Sequence, residues 1–130
     1  MAKLTEKQAQ LFLDTNFGSL ATIRDDGTPH VTPVWVDYDG ENVLLNTAIG
    51  RAKERHLRRE PRATIEVQSH ENPYSYVTVT GPVELSEEGA WEHIDKLSLK
   101  YNGDPNYPRN PGEERVKITL RPERVNDNAQ

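Results

Sequence analysis

At 130 residues the chain has the length of one domain with a real core, although only 34% of its side chains are hydrophobic. It contains no cysteine, which excludes disulfides, thiolate metal sites and cysteine nucleophiles. Its 21 carboxylates against 16 lysines and arginines give a formal net charge of −5, which argues against a broad nucleic-acid-binding face.

The low apolar content predicts that the domain completes its core by pairing with a second copy. No apolar run approaches the roughly 18–20 residues of a membrane span. The N-terminal MAKLTEKQAQ has no apolar signal core. A soluble, cytoplasmic homodimer is therefore expected.

Thr5 to Asn16 reads as a helix, with Thr5 and Gln8 at capping-box spacing and Leu4, Leu11, Phe12 and Leu13 on its apolar side. Gly18 to Arg24 alternates as a strand. Asp25-Asp26-Gly27 then predicts a hairpin into a second strand, Thr28–Tyr38. Pro29 and Pro33 cannot donate to a central ladder, so this strand needs an edge, a bulge or a ligand beside it. Asp39-Gly40 turns the chain into a third strand, Glu41–Thr47.

A basic helix ends at Pro61, Ala63–Gln68 is a strand, and Ser69–Pro73 is a polar loop. Tyr74–Leu85 is a long strand interrupted by Gly81-Pro82, which predicts a bulge or corner. Ser86 is expected to cap a second helix, with Ala90, Ile94, Leu97 and Tyr101 at helical spacing. Asn102–Gly112, with three prolines, is an ordered loop or lid; it reads first as a surface connection pinned by those prolines, and in its functional reading it brings Tyr107 and Arg109 near a site. Glu114–Val125 is the last strand and Asn126–Gln130 a frayed tail. About six antiparallel strands with flanking helices predict a mainly β, barrel-like single domain over 1–130.

The stretch Leu44–Arg62 carries most of the chemistry. Arg51, Lys53, Arg55, Arg58, Arg59 and Arg62 face only Glu54 and Glu60, a cationic island in an acidic chain. A strand end at Thr47, a turn at Gly50 and a helix opening at Arg51 would aim free amides, a helix dipole and two cations at an anion. The competing reading is a solvated amphipathic helix with Ala52 and Leu57 inward. Arg58, Arg59 and Arg62 read as surface residues. His56, His70 and His93 have no metal-ligand spacing, and no metal is expected.

The run G-S-L-A-T-I-R-D-D-G-T-P-H-V-T-P-V-W, then L-L-N-T-A-I-G-R-A-K-E-R-H-L-R-R-E-P-R-A-T-I, with Y-S-Y-V-T-V-T-G and R-V-K-I-T-L-R-P-E-R-V later, carries a family resemblance. It resembles the pyridoxamine 5'-phosphate oxidase-like split-barrel superfamily of FMN- and deazaflavin-binding proteins. It is most similar to the small B-type oxidoreductases that use coenzyme F-420. Relatives often show K-x-R-N where this chain has Lys53-Glu54-Arg55-His56.

The resemblance implies a split β-barrel homodimer with cofactor sites along the interface. It assigns Arg51, Lys53 and Arg55 to the cofactor phosphate and anionic tail, with Thr47 beside the phosphate. His30, Val31, Thr32 and Pro33 would line the tricyclic ring. Tyr74, Ser75 and Tyr76 would approach it, from the facing subunit. No catalytic side chain is assigned. Trp35, on the opposite strand face from His30, is read as core or interface packing.

The implied activity is hydride transfer from reduced F-420 to an unsaturated small-molecule acceptor. FMN-dependent chemistry on the same fold, and a non-catalytic carrier of F-420, flavin or haem, are the alternatives.

Overall fold

The capping box forms as predicted. Thr5 Oγ1 accepts the Gln8 N–H at 3.2 Å, and Gln8 Oε1 accepts the Thr5 N–H at 2.8 Å, opening helix α1 (Glu6–Leu13). The computed structural model describes residues 3–128. After α1 come strands β1 (Gly18–Ile23), β2 (Pro29–Val34), β3 (Asp37–Tyr38) and β4 (Val43–Ala48), then helix α2 (Ala52–Arg59). Strands β5 (Arg62–Gln68) and β6 (Tyr76–Ser86), helix α3 (Ala90–Asn102), and strands β7 (Arg115–Leu120) and β8 (Arg124–Asp127) complete it.

All strand pairs are antiparallel, in the order β2-β1-β5-β6-β7-β4-β3, with β8 added to β6. The two ends of this order, β2 and β3, are separated in the chain only by Trp35 and Val36. The sheet therefore curls into a half-barrel until its ends are two halves of one stretch. Phe12, Leu20, Leu45, Ile65, Val79 and Ile118 fill the interior and are fully buried. Among the described residues no helix is long and apolar enough to cross a membrane.

Among the described residues eight strands stand where about six were expected, because two predicted strands bend. Thr28–Tyr38 divides at Trp35-Val36, where the chain leaves β1 and joins β4. Both prolines of β2 fall on this end strand, which pairs through β1 alone, so neither breaks a two-sided ladder. Glu114–Val125 divides at Arg121-Pro122. The bend lies against Gly81, where β6 exchanges β5 and β8 for β7. A Cβ at Gly81 would lie 1.9 Å from the Arg121 carbonyl oxygen, so the corner requires glycine.

Three further expectations are corrected. Ser86 ends β6, paired with Lys117, and does not cap a helix. The chain must first reverse, and α3 starts after Gly89 at φ +73. Tyr74 lies in the turn before β6, so strand alternation does not reach it. Asn126 and Asp127 pair with Thr78 and Val77 and are not frayed; of the expected tail, 129–130 lie outside the described residues.

The end of α3 pins the bend between β2 and β3. Val36 N–H donates to the Tyr101 hydroxyl at 3.1 Å, and the hydroxyl donates to the Asn16 carbonyl at 2.6 Å. Lys100 Nζ donates to the carbonyls of Phe12 and Val36 at 2.6 and 2.7 Å. Tyr101→Phe keeps the ring and removes the hydroxyl. It should cost about 1–3 kcal/mol, the usual price of orphaned buried partners. Urea unfolding should show a lower midpoint at unchanged slope.

Candidate functional site

The turn before α2 is organised by Glu54, a buried carboxylate in the first turn of that basic helix. It accepts the Gly50 N–H at 3.0 Å and Arg58 Nε at 2.8 Å. The hydrogen bond from Arg58 is the first cause holding its pKa below the usual carboxylate range. Gly50, at φ +96, supplies the left-handed step that an L side chain resists. Arg51 is the N-cap of α2 and makes no side-chain cap bond. The first-turn amides are therefore left uncapped by any side chain.

Beside this turn lies a cavity of about 220 Å³. Thr47 of β4, Arg51 at the N-cap of α2 and Lys53 of α2 line it, with Pro33, Val34 and Trp35 from the β2 bend. Ile94 and Leu97 of α3, with Phe17 and Tyr107, add apolar wall. The aromatic wall is built: Trp35 stacks on Tyr101 at 5.3 Å and 5°, and Tyr107 meets Trp35 edge-on at 6.0 Å. The Thr47 hydroxyl is buried and has no partner among the described residues. Burial, then the nearby Arg51 charge, lowers the Lys53 pKa.

Asn46 and Arg115 complete the lining. Arg115 Nε donates to Asn46 Oδ1 at 2.9 Å and Nη1 to Glu113 Oε2 at 2.8 Å, with the guanidinium 5.1 Å from the Tyr107 ring centroid. Arg115 is first among the causes that lower the Glu113 pKa, and Arg51 also contributes. Asn46 Nδ2 donates to the Ala90 carbonyl at 2.8 Å and lies 3.2 Å from His93 Nδ1, which assigns the His93 proton to Nε2. Burial pushes the His93 pKa down from 6.5 to about 4.

The residues expected to form one site divide among three places. Pro33, Thr47, Arg51 and Lys53 converge on the cavity. His30 and Thr32 point with Val34 to the less exposed face of β2, while Val31 is 59% exposed. His30 meets His56 edge-on at 5.1 Å, and His56 Nδ1 is 2.9 Å from Thr22 Oγ1. The histidine in place of asparagine thus joins α2 to β1 and β2. Burial, followed by the charges of His30, Arg59, Arg55 and Arg24, lowers its pKa.

Arg55 donates to the Gly50 carbonyl at 2.6 Å and lines a separate groove with Arg24, Asp25, Asp26, His56 and Arg59. Arg59 there pairs with Asp25 and the Ile23 carbonyl. Ser75 is buried, Tyr74 is 73% exposed, and Tyr76 opens β6; none of the three lines the cavity.

Trp35 is packing, as expected, and cavity wall as well. Tyr107 lines the cavity. Arg109 does not, because it forms a two-pronged pair with Asp95 at 2.6 and 2.8 Å. Asn46 and Arg115 went unnoticed in the sequence. In sequence Arg115-Val116-Lys117-Ile118 alternates as any half-exposed strand does, and only the burial of Arg115 in the structure sets it apart. Among the described residues no group of three or more His, Asp or Glu could hold a metal.

A family model described as pyridoxamine 5'-phosphate oxidase matches residues 4–128. Among solved structures, an F420 reductase is 31% identical, with 95% of this chain and 98% of that one covered and a TM-score of 0.83. A conserved hypothetical protein from Mycobacterium tuberculosis is 25% identical, covering 95% and 84%, at 0.74. General Stress Protein 26 from Bacillus anthracis is 19% identical, covering 94% and 91%, at a TM-score of 0.70, and shares the fold.

The buried imidazole of His93 makes stability depend on pH. The unfolded imidazole takes its proton near 6.5 and the folded one only near 4. Below 6.5 the unfolded state therefore binds more protons, and stability falls as pH falls. Between pH 7 and 4.5 this one residue should remove about 2 kcal/mol. In His93→Gln, urea unfolding at the two pH values should differ by that much less.

Proposed function

The chain belongs to the pyridoxamine 5'-phosphate oxidase family, and we propose that it is an oxidoreductase moving hydride from reduced coenzyme F-420 to an unsaturated small-molecule acceptor. The observation that carries the reading is the cationic corner of the cavity. There a buried, unpartnered Thr47 hydroxyl adjoins Arg51 and Lys53 and the uncapped start of α2. Leaving a buried hydroxyl unpaired costs about 1–3 kcal/mol, and a phosphate oxygen supplies the missing partner. A guanidinium, an ammonium and free helix amides are the usual donors to such an anion. The residues present fit the group.

In this reading Thr47, Arg51 and Lys53 hold the phosphate and Arg55 serves the anionic tail. His30, Val31, Thr32 and Pro33 line the tricyclic ring. The buried, unpartnered His30 Nδ1 and Thr32 Oγ1 are polar groups available to a ring edge. Tyr74, Ser75 and Tyr76 belong to the site of a second copy, in a homodimer. When bound, the deazaflavin supplies the hydride. The chain contributes anchoring at the phosphate and a wall that excludes water, from Trp35 and Tyr107. The resemblance to the F420 reductase over 98% of its length supports this choice over FMN.

Titration of the purified protein with F-420 and with FMN tests the reading. F-420 should bind, and reduced F-420 should be oxidised by a panel of unsaturated acceptors. Tight FMN binding with no F-420 binding overturns it. Lys53→Ala should weaken F-420 binding roughly 10–100-fold, the size of a lost charge-assisted hydrogen bond, with little change in unfolding midpoint. Because the Lys53 pKa is lowered, wild-type affinity should decline with rising pH before an ordinary lysine titrates. Lys53→Arg should remove that decline.

A further inference from the structure

We propose that Arg115 is a third cation of the same anion corner, contacting the ligand's phosphate through Nη2, with Asn46 and Glu113 as its positioning residues. The inference rests on the reading of this cavity as a phosphate site. Arg115 is only 4% exposed yet lines the cavity. Two of its guanidinium nitrogens are committed, Nε to Asn46 and Nη1 to Glu113. Those two bonds fix the plane of the fork and leave the Nη2 edge for an occupant.

Asn46 is itself fixed, by the Ala90 carbonyl and by His93. The rotamer of Arg115 is thus set from behind before any ligand arrives. The register pairs Arg115 with Ala48, which puts its side chain on the same sheet face as Asn46.

Charge points the same way. Glu113 accepts from Arg115 Nη1 at 2.8 Å, and the more distant Arg51 charge adds to the lowering of its pKa. Arg51, Lys53 and Arg115 all line the cavity, and with Glu113 behind Arg115 they leave an excess of positive charge there. A purely structural Arg–Glu pair would need no such excess, whereas an anionic ligand balances it.

The test compares F-420 with its phosphate-free deazaflavin-ribityl core, both titrated by fluorescence. Arg115→Gln should weaken F-420 binding at least tenfold and leave the core unchanged. Equal loss for both ligands means that Arg115 only supports the cavity wall, and no loss means that it does not reach the ligand; either overturns the inference. Glu113→Gln keeps an acceptor for Nη1 and removes the competing charge, so it should tighten F-420 selectively. Weakening of both ligands there also overturns it, and this arm stands should Arg115→Gln fail to fold. Lys53→Ala is measured alongside. A selective loss in Lys53→Ala without one in Arg115→Gln sinks the inference alone, and no selective loss in either sinks the phosphate reading with it.

Discussion

The backbone of Val36 is the point on which the fold turns. A curled sheet whose two end strands are consecutive in the chain must let one residue leave one ladder and enter another. Its N–H and C=O are then without strand partners, and orphaned buried backbone groups are costly. Tyr101 accepts the N–H and Lys100 donates to the carbonyl, both from the last turn of α3. The same two side chains reach Asn16 and Phe12 at the end of α1. One helix end therefore ties the α1–β1 connection to the bend of the half-barrel. Trp35, next to that residue, stacks on Tyr101 and becomes cavity wall.

The cavity joins two different physical environments. One side is aromatic and aliphatic and is held by packing. The other carries Arg51, Lys53 and Arg115 together with Thr47, whose buried hydroxyl has no partner among the described residues. Each unsatisfied buried group costs about 1–3 kcal/mol, a sizeable part of the 5–15 kcal/mol by which a domain of this kind is stable. Such a cost is what the phosphate site proposed above would require, since an anionic ligand would offset it. The buried Glu54 shows the contrasting case. Its oxygens are both engaged, and its work is to shape the turn that presents Arg51.

Much of the fold was legible because its signals are local. The Thr5–Gln8 capping box, the hairpin turns, and the Gly81-Pro82 corner each act within a few residues, and each appears in the structure. What failed was also local reasoning, applied where a distant partner decides. Ser86 had the chemistry of a cap, but pairing with Lys117 drew it into a strand. The last strand looked continuous until the Arg121 carbonyl had to pass Gly81. At the site, the composition of Leu44–Arg62 pointed to an anion, and Thr47, Arg51 and Lys53 do converge. Asn46 and Arg115, 69 residues apart in sequence, had no local signal to join them.

By itself, the sequence determined the alternating strands, the turns and the concentration of cations at one strand–helix junction, since these follow from side-chain type and spacing. Tertiary structure alone decided which cations share a cavity, because that depends on strand register and helix docking. Arg51, Lys53 and Arg115 meet there. Arg55 turns back to Gly50, Arg59 is tied to Asp25, and Arg109 is tied to Asp95. Each of these arginines has the same side chain, and the partner that the fold brings within reach sets what it does.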